Sequence, residues 1–381
     1  MKHPILTTCA LVFALWAMAC VHPHTPAITH PIANPPPEPG PGAATLTEGE
    51  VRLLVQPLLA SRVASGVVVG VVDDRGQRSW GYGVNPFGGA MDGSTIFELG
   101  SLSKLFTALL LAQLDHEGSL HLDDSLSAHL EATHLTDALK LSHLATHSSG
   151  LPTTPPNGTS ERYEGRHLEA LLATYTLPGQ PGKAFIYNNF AFGVLGYTLS
   201  HHTQTPFEML VDQRICAPLQ MRQTGVRPRL DPTLELNRSN ALSDRRRERV
   251  DLGASGLRST VDDMLKFLAA HADRPKGART EAMTLVQTPR GPSWQGNRVG
   301  LGWHISETDG YVWHQGALGV YRSYVGIDPT HRTAVVVWSS PRTSYVDHVG
   351  IAILHRLAGR PLYIPTIAPE DWRESMTQEA H

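Results

Sequence analysis

Cysteine is nearly absent: three occur in 381 residues, at positions 9, 20 and 216. Cys9 lies in the leader described below, so neither a disulfide framework nor a cysteine-based metal site is expected. A basic surplus is missing too. The net charge is −3 and the arginines are scattered rather than gathered into a stripe, which argues against nucleic acid as a partner. No glycine-rich phosphate loop occurs, so no nucleotide cofactor is expected, and no repeat of fixed period is found. Lysine is scarce, with six residues at 2, 104, 140, 183, 266 and 276 in a chain that otherwise uses arginine. Arginine never releases its proton to act as a base, so a retained lysine points to acid–base work.

What is present is a composition with 41% hydrophobic residues, enough to build one large domain or two fused ones. The first twenty residues, MKHPILTTCALVFALWAMAC, hold Lys2, an apolar run from Ile5 to Trp16, and Ala17-Met18-Ala19 before Cys20. That pattern is an export signal, and the run is shorter than the ~20 residues a membrane span needs. Two processed forms fit it. Ala17-Met18-Ala19 suits an ordinary signal peptidase, while a small residue directly before Cys20 resembles a bacterial lipoprotein signal in which Cys20 carries a lipid anchor. A third reading makes Cys20 one more apolar residue of the leader. Residues 21–44 are proline-rich and almost uncharged, a composition that reads as an extended tether, with His22, His24 and His30 as solvated linker histidines rather than metal ligands.

Order is expected from about Thr47, where Thr47 and Glu50 have capping-box spacing ahead of the periodic Val51, Leu54, Val55, Leu58 and Leu59. The stretch GVVVGVVDDRGQRSWGYGV reads as a hairpin turning at Asp73 to Gly76. From about Ser101 to Ala270 the period becomes helical, notably over Phe106–Leu114, Phe190–Leu199 and Val261–Ala269. Strand signals return after Arg298, and an amphipathic helix is expected from about Tyr345 to Leu357. The expected fold class is therefore α+β: an antiparallel sheet from the N- and C-terminal segments, flanked by helices, with a mostly helical insertion. The sheet part would span about 45–100 and 290–360, the helical part about 101–289, and residues 361–381 would form a tail.

At the helical entry, FELGSLSKLF sets Ser101 three residues before Lys104, on one helix face. A serine needs a base within hydrogen-bond reach to attack a carbonyl. Lysine serves if burial or neighbouring cations lower its pKa by about 3 units, roughly 4–5 kcal/mol. The Ser101 N–H, at a helix start, has no intrahelical acceptor and suits an oxyanion hole. Alone, the pair is equally well read as a surface serine near a surface lysine.

Two further constellations accompany it. Tyr187-Asn188-Asn189 is the only Tyr-x-Asn in the chain, a phenol for proton relay and an amide for a substrate carbonyl, or else a helix start capped by Asn189. His314-Gln315-Gly316 lies on an expected strand whose edge can pair with an extended acyl substrate. The same His-x-Gly occurs at His116 and His348, both in or beside helical segments. His143 and His147, spaced i, i+4 in LSHLATHSSG, lack the intervening Glu of a zinc helix and are read as structural, as are His201, His202 and Cys216.

Ser101-x-x-Lys104, Tyr187-x-Asn189 and His314-x-Gly316, in that order, resemble the three-motif signature of penicillin-recognising serine enzymes. FELGSLSKLFT, LATHSSGLP, PGKAFIYNNFAFGVLGY, ASGLRSTVDDMLKFL, LGWHI and HQGALGVYRSYVGIDP resemble the branch holding class C β-lactamases and D-alanyl-D-alanine carboxypeptidases/endopeptidases, over about residues 50–358. The resemblance implies a β-lactamase/transpeptidase-like fold without metal or cofactor. It makes Ser101 the acylated nucleophile, Lys104 its base and Tyr187 the proton relay, with Asn189 on the substrate amide and Ala317 N–H joining Ser101 N–H in the oxyanion hole. His314 occupies the place where most members have lysine. With an ordinary pKa of ~6.5 it predicts carboxylate binding that weakens at high pH, unless an arginine such as Arg322 helps.

The activity implied first is a D-Ala-D-Ala carboxypeptidase/endopeptidase acting on peptidoglycan peptides, exported and periplasmic. A β-lactamase or an esterase would keep the acyl-enzyme and change the substrate. A reading of another class, a non-catalytic peptidoglycan or β-lactam binder, has no use for a low-pKa lysine.

Overall fold

The computed structural model describes residues 45–86, 88–130, 138–153, 165–226, 250–272 and 278–366, all within one compact unit. The leader, the tether, Cys20 and the segment beyond 366 lie outside the described residues.

The chain opens with α1 (Glu48–Ala60), capped as its sequence predicts: the Thr47 hydroxyl accepts the Glu50 N–H and the Glu50 carboxylate accepts the Thr47 N–H. The hairpin follows as β1 (Gly66–Asp73) and β2 (Gly76–Gly83). A short β3 (Ile96–Glu98) leads through a 3₁₀ turn, Gly100–Leu102, into α2 (Ser103–His116). Then come α3 (Leu141–Ala145), α4 (Gly165–Leu172), α5 (Asn189–Thr203), α6 (Phe207–Val211) and α7 (Leu252–Ser255). After β4 (Arg258–Thr260), α8 (Val261–Ala272) and α9 (Ala278–Val286), the strands β5 (Gly291–Trp294), β6 (Asn297–Val299), β7 (His304–Ser306), β8 (Val312–Leu318), β9 (Tyr321–Asp328) and β10 (Thr333–Ser340) precede α10 (Tyr345–Leu357).

Eight strands form one antiparallel sheet in the order β2-β1-β10-β9-β8-β7-β6-β5. Strand β1 pairs with β10, from Gly66–Ser340 to Val72–Ala334, so the first and last strands lie side by side, one strand in from the β2 edge of the sheet. Val67, Val69, Val71, Val335 and Val337 face α1 and α10, while Val68, Val336 and Trp338 face the helices inserted between β2 and β5. That two-sided burial explains why β1 and β10 read as unbroken apolar runs instead of alternating ones. Helix α2 is buried on nearly every side, as its run of leucines requires.

The insertion is mostly helical, as its periodicity predicts, and it contains one short strand that the sequence does not announce: Arg258–Thr260, paired with β3 through Phe97–Ser259. Three residues without apolar alternation leave no periodic signal. Among the described residues no helix is long and apolar enough to cross a membrane.

Candidate active site

Ser101 lies in the 3₁₀ turn, one step before the α-helix that carries Lys104. Two glycines let this turn press against β8. Gly100 has φ +51°, and a Cβ there would lie 2.8 Å from the Ala317 oxygen. At Gly316 a Cβ would lie 2.3 Å from the Leu99 oxygen. A side chain at either place would force the Ser101 turn and the strand apart. The turn is also strapped to the segment after α7: Leu99 N–H donates to Leu257 O at 2.9 Å and Leu257 N–H to Ser103 Oγ at 3.1 Å.

Lys104 Nζ lies 2.9 Å from Ser101 Oγ and donates to Ala254 O at 3.0 Å. The side chain is fully buried, and burial lowers the pKa of the amine from 10.5 to about 7. Nζ sits 5.0 Å from the centroid of the Tyr187 ring and 5.8 Å from that of Phe192. The Tyr187 hydroxyl hydrogen-bonds to the Ser101 side chain, and burial pushes its pKa well above the ordinary 10. At neutral pH the phenol therefore keeps its proton, while about half of the amine population has lost its own.

The structure corrects the alternative reading of Asn189 as the helix cap. The helix cap is Asn188, whose Oδ1 accepts the Ala191 N–H at 2.7 Å and whose Nδ2 donates to Leu151 O at 2.8 Å. Asn189 begins α5 and is exposed. Neighbouring asparagines offer the same local chemistry, so sequence alone does not tell which one turns inward.

Strand β8 pairs with β7 only through His304–Trp313 and Ile305–Val312, whereas its whole length pairs with β9. Gly316, Ala317 and Leu318 thus lie beyond β7 on that side, beside the nucleophile turn, and Ala317 is exposed. His314 is buried, and its Nδ1 lies 2.6 Å from Gln315 O. Burial, then His304 and Lys104, hold its pKa well below 6.5. The titration expected from sequence therefore does not fall in the neutral range. Nor does Arg322 assist it. Its guanidinium binds Asp347 at 2.6 Å and Gln315 Oε1 at 2.8 Å, on the sheet face opposite His314.

Sequence reasoning missed three parts of this region. The Ala254 carbonyl carries no side-chain signal. His304 stacks on His314 with centroids 5.2 Å apart, and burial followed by Lys104 lowers its pKa to about 4. His147 stacks on Tyr187 at 4.3 Å, kept neutral first by burial and then by Lys104. Its i, i+4 relation to His143 does not place both on one helix, because α3 ends at Ala145. Among the described residues no cluster has the geometry to hold a metal ion.

A family model described as "Beta-lactamase" matches residues 51–360. The chain belongs to the β-lactamase family. Among curated relatives, the D-alanyl-D-alanine-carboxypeptidase/endopeptidase AmpH of Escherichia coli K12 is 26% identical over 303 residues, covering 71% of this chain and 79% of that protein. A β-lactamase of Yersinia enterocolitica is also 26% identical, over 329 residues, covering 80% and 82%. Family members are serine hydrolases. In fold, the chain matches a β-lactamase/D-alanine carboxypeptidase from Pseudomonas syringae with TM-score 0.70 at 18% identity, over 82% of this chain and 98% of that one. A class C β-lactamase matches with TM-score 0.70 at 20% identity, over 81% and 97%.

Proposed function

We propose that the protein is an exported serine hydrolase that forms an acyl-enzyme on Ser101 and acts on peptidoglycan peptides as a D-Ala-D-Ala carboxypeptidase/endopeptidase. The observation that carries this reading is the contact of Ser101 Oγ with an amine whose pKa is about 7 and with a protonated phenol. Lys104 takes the serine proton as Oγ attacks the carbonyl carbon. The N–H groups of Ser101 and Ala317 receive the oxyanion, and each such donor is worth about 10²- to 10³-fold in kcat. As the carbon–nitrogen bond breaks, Tyr187 gives its proton to the leaving nitrogen and regains one from Lys104. Water then clears the ester, its proton returning through Lys104 to the serine. Asn189 and the exposed Ala317 complete the wall against which the substrate lies, with Gly316 and His314 buried behind it.

The peptidase reading draws on the AmpH relative. A β-lactamase reading draws on the equally identical Yersinia protein and differs only in how fast water reaches the ester. Benzylpenicillin followed by intact mass and turnover separates the two. A lasting adduct on Ser101, with D-Ala released from a muropeptide, supports the peptidase, and rapid clearance supports the lactamase. Absence of any adduct, with no muropeptide cleavage, removes both. The lipid on Cys20 is tested by mass spectrometry of membrane-extracted protein.

A further inference from the structure

His147 belongs to none of the three motifs, yet it binds the backbone N–H of both residues that flank Tyr187. Its carbonyl accepts the Ile186 N–H at 2.8 Å, and its Nδ1 accepts the Asn188 N–H at 2.9 Å. Between these two bonds its ring lies against the Tyr187 ring, with centroids 4.3 Å apart and planes inclined by 30°. Phe192, one turn into α5, packs on the same imidazole at 4.9 Å. One residue thus contacts three consecutive residues, and the phenol is in the middle one.

The backbone at His147 is bent to make this possible. Its φ is +55°, left-handed for a residue with a side chain, just past the end of α3. That bend lets its carbonyl and its imidazole address the same tripeptide. Because Nδ1 accepts a hydrogen bond, the ring proton resides on Nε2. The residue is 1% exposed, so it touches neither solvent nor an incoming substrate.

We propose that His147 is a positioning residue, whose clamp on residues 186–188 keeps the Tyr187 hydroxyl aimed at Ser101 Oγ during proton transfer to the leaving group. The inference rests on the acyl-enzyme reading above and adds a residue to it. A histidine that merely filled the core would serve every reaction of the enzyme alike. One that aims a proton donor matters only where the leaving group needs a proton.

The test exploits that difference with His147→Asn, since asparagine tolerates the left-handed backbone but lacks the ring. Single-turnover acylation is measured with benzylpenicillin, whose leaving nitrogen must be protonated, and with an acyl p-nitrophenyl ester, whose phenolate departs unaided. Acylation by penicillin is expected to fall about 10- to 100-fold, less than the roughly 10²- to 10⁴-fold of a whole general acid because the phenol is misaimed and not removed, while the ester rate stays within about 3-fold. Equal losses with both substrates, or no loss with either, overturn the proposal. Amide exchange in the wild type gives a reading that needs no variant. The Ile186 and Asn188 amides are expected to exchange slowly, and exchange as fast as an open loop also overturns it. A wild type acylated by neither substrate refutes the acyl-enzyme reading itself, while amide exchange still tests the clamp.

Discussion

Gly100 and Ala317, far apart in sequence, meet backbone to backbone, so that a Cβ on Gly100 would stand 2.8 Å from the Ala317 oxygen and 3.1 Å from its nitrogen. The contact sets the Ser101 turn against the strand whose Ala317 N–H is the proposed second oxyanion donor. Gly100→Ala meets this wall with a left-handed φ of +51°. Acylation of Ser101 is expected to drop about 10²-fold or more, comparable to losing one oxyanion donor. Stopped-flow acylation, with a thermal melt to show that the variant remains folded, checks it.

Lys104 also leaves a mark on stability. Its pKa is about 7 in the folded protein and 10.5 ordinarily, so between these values the unfolded chain binds a proton that the native state does not. Within that window the stability against unfolding rises with pH, by about 1.4 kcal/mol per pH unit from this one group. Below about pH 7 both states carry the proton and the contribution is flat. Lys104→Met removes the rise. Urea unfolding at pH 7 and pH 9 should show wild type gaining about 2–3 kcal/mol more than the variant over that interval, and equal gains contradict the buried amine.

His314 is expected to have no part in the neutral pH profile, because burial, His304 and Lys104 keep it uncharged. The dissociation constant of a carboxylate-bearing penicillin, taken from the saturation of single-turnover acylation, should therefore stay constant from pH 6 to 8. A dissociation constant that climbs as pH passes 6.5 means that the imidazole binds the anion as a cation. His314→Lys places an ammonium near Lys104 and should shift the midpoint of the acylation profile below 7.

Much of this was legible in the sequence, for identifiable reasons. The capping box at Thr47 and Glu50, the hairpin around Asp73–Gly76 and the helix at Tyr345–Leu357 announce themselves through local spacing, and all three form. Ser101 and Lys104 share one motif and Tyr187 lies in another, and the fold brings the two into contact. Missed features depend on tertiary geometry. Nothing local marks Arg258–Thr260 as a strand, because β3 supplies its partner from 160 residues away. The choice of Asn188 over Asn189 as cap follows from Leu151 O, and the left-handed bend at His147 only matters once Tyr187 lies against it. The fate of His314 likewise depends on burial, which no single residue type reveals.

The central claim is that Ser101 is activated by an uncharged amine. The chain has only six lysines, so a carbon-13 NMR titration of the lysine ε-carbons, assigned with Lys104→Arg, resolves this side chain from the others. One ε-carbon titrating at about 7 and absent from the variant is the predicted result. A Lys104 signal that titrates with the rest near 10.5 contradicts the account.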